Sequence, residues 1–136
     1  MTRETPCGPA EARRRARMAR TYLDVADQAV LSESDEGRNV AAGNAVLAAI
    51  AAADALCCLR LGRHGRGQAH HQTTPLLRTI RPDGPRLAKD LSTVLGVKDA
   101  AHYGTVFVSP TTLRTTLRAA TRLVSAAETA VQNARN

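Results

Sequence analysis

The sequence contains very few aromatic side chains. Its 136 residues include one Phe, two Tyr and no Trp. Without large rings, the core must be filled by Ala, Leu and Val, and these small side chains suit closely packed helices better than a wide sheet or a sandwich. The length allows one domain with a modest core. Composition alone therefore favours a single all-α domain.

Cysteine is also scarce. Cys57 and Cys58 are adjacent within an apolar segment, and Cys7 lies near the N-terminus. An odd number of cysteines with a vicinal pair does not suggest a disulfide framework and is typical of buried thiols in a reducing compartment. The first 20 residues contain no apolar signal core, so a secretory peptide is not expected. These features predict a cytoplasmic protein.

Lysine is nearly absent, and the net charge of +7 is carried by 17 Arg and only two Lys. The planar guanidinium group matches phosphate bidentately, which makes nucleic acid a candidate partner. Five of these arginines fall between residues 13 and 20, where they could contact RNA phosphates. A solvated charged face, or a genome rich in G and C, would give the same composition, so the charge does not decide the function.

A long apolar segment, residues 39–61, dominates the rest of the chain. It is rich in Ala and Leu and lacks Pro, which predicts one helix of about 35 Å that is buried on all sides. The segment is long enough to span a bilayer. Because it is mostly Ala and includes Asn44, Asp54 and Arg60, we expect the core helix of a soluble protein and no membrane association.

The apolar spacing predicts further helices on both sides of this one. Residues 1–9 contain two Pro and one Gly and are expected to be irregular and flexible. In the helix predicted over residues 10–31, the apolar face is formed by Met18, Tyr22, Val25 and Ala29 and is widened by Leu23, Ala26 and Val30. Other helices are predicted to begin at Thr74-Pro75, near Arg86 and at Ser109-Pro110; residues 97–104 form a further turn and residues 105–108 an extended linker. The prediction is one helical domain over residues 10–136, an up-and-down four-helix bundle with a short extra helix.

The residues suited to chemistry are concentrated in residues 62–71, which hold three Gly, two Arg and three His. Paired metal-binding motifs such as His-x-x-x-His with an acid, Cys-x-x-Cys or Glu-x-x-His are absent, so no metal or other cofactor is predicted. A Gly-x-Ser-x-Gly nucleophile motif is absent as well. RNA cleavage remains plausible chemistry, because RNA supplies its own 2′-OH nucleophile. The protein then needs a His to move protons and an Arg to stabilise phosphate charge.

The chain resembles small bacterial proteins of the HEPN family (higher eukaryotes and prokaryotes nucleotide-binding). The mark of that family is Arg, four to six residues, then His, with a polar residue often following the Arg. Here Arg63 is followed by His64 and, after six intervening residues, by His70. Arg66 and His71 give a second, weaker match, with Gly67 in the polar position. The resemblance extends over residues 10–133 and includes Arg38-Asn39, Asp54 and the segment from Lys98 to Gly104.

The resemblance implies an all-α homodimer that pairs through the site-bearing end, so that Arg and His of both chains line one cleft. It also implies that the protein cleaves RNA without a metal and acts as a toxin or a defence component. In this interpretation Arg63 and His70 are catalytic. Substrate contacts would come from His64, Arg66, His71, His102 and Tyr103. The partner of such toxins is often a nucleotidyltransferase-type antitoxin.

Three alternatives remain at this stage. The chain could be a non-catalytic HEPN module that binds a nucleotide or an antitoxin partner. It could be a small helical DNA-binding protein, although the central helix is too apolar to be a recognition helix. Residues 62–71 could also be a solvated connector whose cations complement a helix C-terminus. The motif leaves open whether His70 or His71 is the catalytic histidine.

Overall fold

The structure is a computed structural model that describes residues 4–65, 70–102 and 106–135, apart from the side chains of residues 70, 71 and 135. Across these ranges the chain is mostly helical, as the composition predicts, with six helices and one pair of short strands. The elements in chain order are β1 (Glu4–Pro6), α1 (Pro9–Val30), α2 (Asp35–Leu61), β2 (Arg63–Gly65), α3 (His70–Arg78), α4 (Gly84–Leu95), α5 (Lys98–His102) and α6 (Pro110–Arg135).

Helix α2 lies at the centre and contacts each of the other five helices. It begins directly after Ser34. The Ser34 hydroxyl caps the helix by accepting a hydrogen bond of 2.9 Å from the Gly37 amide. Asp35 and Glu36 then lie in the positive first turn. The helix ends at Gly62, whose φ of 74° is the left-handed conformation that glycine adopts without a steric penalty. Local sequence therefore sets both ends of the central helix.

Helix α2 is also long and apolar enough to cross a membrane, judged by length and composition. In its most apolar window, however, 78% of the residues are buried inside the protein. A core helix of a soluble protein satisfies the same test, so the segment is weak evidence for a membrane span.

The contact between α1 and α2 is built from small side chains. Helix α1 buries a stripe of residues against the core: Ala12, Ala16, Ala19, Leu23 and Ala26. The predicted apolar face is confirmed at Leu23 and Ala26, but Met18 and Val25 are 48% and 43% exposed, so the buried face is rotated away from those two residues. Alanine faces let two helices approach closely and gain many dispersion contacts. The orientation of α1 is therefore set by the close packing of its small residues, and two of its larger apolar side chains remain exposed.

The prediction that α2 is buried on all sides is wrong along one stripe. Val40 is 51% exposed and Leu47 is 37% exposed, on the same side of the helix as Asn44. Asn44 satisfies its amide within the helix by donating to the Val40 carbonyl oxygen at 2.9 Å. The central helix thus keeps one apolar edge at the surface.

The remaining helices follow the predicted pattern with one exception. Helix α4 begins at Gly84, close to the start predicted near Arg86, and buries Leu87, Leu91 and Val94; α6 begins at the predicted Pro110. Helix α3 instead begins at His70, so Pro75 lies inside it rather than at its start. The first turns of α3 bury Thr73 and Thr74 against the protein. This tertiary packing outweighs the preference of proline for a first helical turn.

The N-terminal segment was expected to be irregular, and this expectation is wrong for residues 4–6. Strand β1 pairs antiparallel with β2, placing Glu4 opposite Gly65, Thr5 opposite His64 and Pro6 opposite Arg63. Directly after β1, Cys7 forms a disulfide with Cys58 near the end of α2. The expectation that all three cysteines are thiols is therefore also wrong; within the described residues Cys57 alone is free.

Candidate functional site

The strand pair brings Arg63 to the surface where α2 ends. Its side chain is 46% exposed, and its Nε lies 2.7 Å from the Glu4 Oε1 on β1. A guanidinium N–H also donates to the Leu61 carbonyl oxygen at 3.4 Å. The predicted catalytic arginine is thus accessible to solvent, but it is held by a carboxylate from the neighbouring strand.

His64 faces the opposite way and is 6% exposed. Its Nδ1 lies 2.5 Å from the Gly65 carbonyl oxygen, an acceptor, which makes Nδ1 the protonated nitrogen. The other ring nitrogen, Nε2, lies 3.2 Å from Glu11 Oε2 and 3.4 Å from Arg15 Nη2. The structure therefore places this predicted substrate-contact residue inside the protein, within a polar network.

Arg15 is the centre of that network. It donates from Nε to Glu11 at 3.0 Å and from Nη1 to Asp54 at 3.2 Å. The Arg15 hydrogen bond holds the pKa of Glu11 below its ordinary value. Burial raises the pKa of Asp54, although Arg15, His64 and a hydrogen bond of 3.4 Å from Thr73 act in the opposite direction. Asp54 is thus a buried carboxylate that is paired with an arginine.

The Cys7–Cys58 pair lies directly beside this network. Cys7, Glu11, Cys58 and His64, here termed the four-ligand cluster, each offer one ligand atom, and these atoms all lie within 4.8 Å of one another. The cluster could not be predicted from the sequence, because Cys7 is expected to lie in a flexible terminus. Cys57 is buried on another side of α2, and burial raises the pKa of its thiol to about 12. The four-ligand cluster is the set of described side chains that could hold a metal.

A second surface feature lies beside the last turn of α2. Four arginines, one from each of four neighbouring segments, line a groove of about 500 Å³: Arg60, Arg81, Arg86 and Arg122, here termed the arginine groove. Arg122 makes hydrogen bonds of 2.8 and 3.0 Å to the buried Asp90, and Arg86 lies 3.3 Å from Asp83. Arg60 and Arg81 make no ion pair with any residue in the described ranges. The groove therefore combines two paired cations with two that are available to an anion.

The structure brings only some of the predicted site residues together. His70 and His71 are the first two residues of α3, which packs against β2; their side chains are not among those that the structure describes. Arg66 and Tyr103 lie outside the described residues. His102 ends α5 and packs over Gly43, where an added Cβ would lie 3.1 Å from its ring. Gly43 is 18 residues before the end of α2, about 27 Å along the helix, so His102 is remote from Arg63 within one chain.

No family model, curated protein or solved structure matches the chain. The resemblance to HEPN proteins thus rests on the residues of this sequence.

Proposed function

We propose that the protein is a HEPN-like endoribonuclease that binds RNA at the end of the helical body where α2 ends. The arginine groove is the observation that carries this proposal. RNA carries one negative charge per nucleotide, and arginine is well suited to phosphate because its donors are planar and permanently charged. Arg60 and Arg81, which make no ion pair with described residues, would be the first to contact the backbone.

In this proposal the RNA runs from the arginine groove to the turn after α2. Arg60 lies three residues before Arg63, so we propose that RNA bound in the groove continues toward Arg63. Arg63 would stabilise the charge that develops on the phosphate oxygens, and His70 would transfer protons to and from the 2′-OH and the leaving oxygen. The products would be a 2′,3′-cyclic phosphate and a 5′-OH. The reaction itself requires no metal or other cofactor.

One contact favours a second candidate function. Arg63 is paired with Glu4 at 2.7 Å, and His64 is buried in the Arg15 network. If RNA does not displace Glu4, the turn is a fixed surface rather than a catalytic one. The chain would then be a non-catalytic HEPN module that binds a nucleotide or a nucleotidyltransferase-type antitoxin.

The exposed apolar side chains support the proposal of a homodimer. Met18 and Val25 on α1, with Val40 and Leu47 on α2, form what is here termed the apolar strip. Helices α1 and α2 pack together, and Met18 shares a groove with Tyr22 and Ala51 of the same two helices. A second copy covering this strip would bury it. The domain, which we propose to be a four-helix bundle, would then pair through the sides of α1 and α2 and not through the end that carries residues 62–71. We assign this dimer to the cytoplasm.

The test is cleavage of an end-labelled RNA pool in EDTA by the disulfide-bonded protein. Arg63→Ala and His70→Ala are compared with wild type, and Arg114→Ala is the matched control. Arg114 is exposed near the start of α6 and carries the same charge outside the groove, about 12 Å along the helix from Arg122. We expect each site variant to lose about a hundredfold or more in cleavage rate, and the control to keep the wild-type rate.

The products decide between the two candidates. Cyclic phosphate ends from wild type, with both site variants inactive, support the endoribonuclease. Retained cleavage by His70→Ala contradicts the assigned role of that histidine. Intact RNA with every protein, together with saturable binding of a nucleotide or a partner, favours the non-catalytic module.

A further inference from the structure

The four-ligand cluster contains more metal-binding groups than a disulfide requires. Cys7 precedes α1, Glu11 lies in its first turn, Cys58 is near the end of α2, and His64 is in β2. Three separate chain segments thus converge on one point. Two sulfurs, one imidazole nitrogen and one carboxylate oxygen are four ligands of the types that Zn²⁺ accepts in tetrahedral sites.

The spacing of these groups fits one small ion. Their ligand atoms lie within 4.8 Å of one another, and ligands at about 2.0–2.3 Å from a tetrahedral Zn²⁺ are about 3.3–3.8 Å apart. The Cα atoms of Cys7 and Cys58 are 5.3 Å apart. Once the sulfurs are not bonded, rotation about the two Cα–Cβ bonds can direct both at a shared metal without moving the backbone.

The orientation of His64 is already that of a ligand. Its Nδ1 donates to the Gly65 carbonyl oxygen at 2.5 Å, which leaves the lone pair on Nε2. Nε2 lies 3.2 Å from Glu11 Oε2 and 3.4 Å from Arg15 Nη2, so a bound ion would replace the contact with Arg15. A backbone carbonyl that fixes the tautomer in this way is one of the common partners of a metal-binding histidine. Arg15 holds Glu11 at 3.0 Å and offsets part of the negative charge of two thiolates and a carboxylate. Burial of Cys58 and His64 limits water, while the half-exposed Cys7 and Glu11 leave a path for the ion.

We propose that the reduced protein binds one Zn²⁺ through Cys7, Cys58, His64 and Glu11, and that this site and the Cys7–Cys58 disulfide are alternative clips for the same N-terminal segment. In a reducing compartment disulfides are rare, and the metal would then attach β1 and the start of α1 to the end of α2. The site is structural and stands apart from RNA cleavage. It departs from the sequence-based expectation of no metal.

The exchange between the two clips balances simply. A phosphine reductant gives two electrons to the disulfide, the Sγ–Sγ bond breaks, and the phosphine takes an oxygen from water to become its oxide. The two protons from that water give two thiols. Zn²⁺ then binds the sulfurs as thiolates and releases two protons to solvent.

The experiment titrates the full chain with Co²⁺, which reports thiolate ligands through a charge-transfer band and tetrahedral geometry through its visible bands. Zn²⁺ is then added as a competitor. We expect the phosphine-reduced wild type to bind one Co²⁺ per chain and to lose both bands when Zn²⁺ displaces it. The oxidised protein should show neither band. The matched control is Cys57→Ser, which changes the neighbouring buried cysteine and should bind as wild type does.

Cys58→Ser and Cys7→Ser should each lose the two-thiolate band, whereas Glu11→Gln should keep it with weaker binding. Cys7 lies outside the helices, so Cys7→Ser decides the matter if Cys58→Ser fails to fold by circular dichroism. The proposal is overturned if reduced, helical wild type binds no Co²⁺, or if the oxidised protein gives the same bands. It is also overturned if Cys57→Ser removes them and Cys58→Ser does not. Should reduction alone unfold the protein, Zn²⁺ must restore its helicity; failure to do so also refutes the site.

Discussion

The choice of Cys58 rather than Cys57 as the partner of Cys7 can be tested through stability. The disulfide joins residues separated by 51 positions, so it closes a loop that contains all of α1 and most of α2. In the chain-entropy treatment, a loop of this length constrains the unfolded state by about 4 kcal/mol, and measured values are usually about 2–4 kcal/mol. Small domains are stable by only about 5–15 kcal/mol. Reduction should therefore remove a large part of the free energy of unfolding.

The assay is urea unfolding followed by circular dichroism, with and without a phosphine reductant, in EDTA throughout so that no metal replaces the disulfide. Wild type should lose about 2–4 kcal/mol on reduction. Cys58→Ser and Cys7→Ser should already have that lower stability and should not respond to the reductant. The double variant should be no less stable than the less stable single variant, because both changes remove the same bond.

Cys57→Ser is the matched control for this experiment. It places a hydroxyl where a fully buried thiol lies and should cost about 1–3 kcal/mol. That cost should be the same with and without reductant, and the reductant sensitivity of wild type should remain. If Cys57→Ser abolishes the sensitivity, or if wild type does not respond to the reductant, the assigned pairing is wrong.

Three further predictions concern other contacts. Glu4→Gln releases Arg63 from its ion pair and should tighten RNA binding about twofold to tenfold in a filter-binding assay; unchanged or weaker binding would show that Arg63 does not contact phosphate. In Glu128, two hydrogen bonds from Arg20 at 2.7 and 2.9 Å lower the carboxyl pKa from 4.5. The pair therefore stabilises the fold above that pH, and its contribution of at most about 1 kcal/mol is lost as the pH falls through the lowered pKa. Glu128→Gln should flatten acid unfolding curves in that range, and curves identical to those of wild type would contradict the pairing. Leu47→Glu adds a charge to the apolar strip and should shift a dimer to monomer in analytical ultracentrifugation, whereas a dimer of unchanged stability would place the interface elsewhere.

Features set by neighbouring residues could be predicted from the sequence. The Ser109-Pro110 start was predicted, and α6 begins there. The two ends of α2, the cap at Ser34 and the left-handed Gly62, likewise depend on contacts within a few positions. The length and apolar composition of α2 also indicated its central position. The buried pairing of Asp54 with an arginine could be anticipated because an unpaired buried carboxylate is costly.

Features set by distant residues could not be predicted in this way. The spacing of Met18 and Val25 suggested a buried face, but the orientation of α1 depends on how closely its alanines pack against α2. The start of α3 depends on the burial of Thr73 and Thr74, which overrides the signal of Pro75. The four-ligand cluster is assembled from three separated segments. Cys7 and Cys58 are 51 positions apart, and this separation does not indicate that they lie together. The Arg63–His70 hypothesis stays a prediction, because it concerns a reaction rather than a fold.

The Cys7–Cys58 bond also turns the first two helices into a closed covalent ring. The exposed turn between them, which includes Leu31 at 72% exposure, lies inside this ring. A protease that cuts there opens the ring but releases no fragment, because the disulfide still joins the N-terminal fragment to the rest of the chain. The nicked protein would migrate as one species until it is reduced. Its N-terminal helix would stay attached to the core that it packs against. In an oxidising environment, a cut in this turn would therefore change the fold very little.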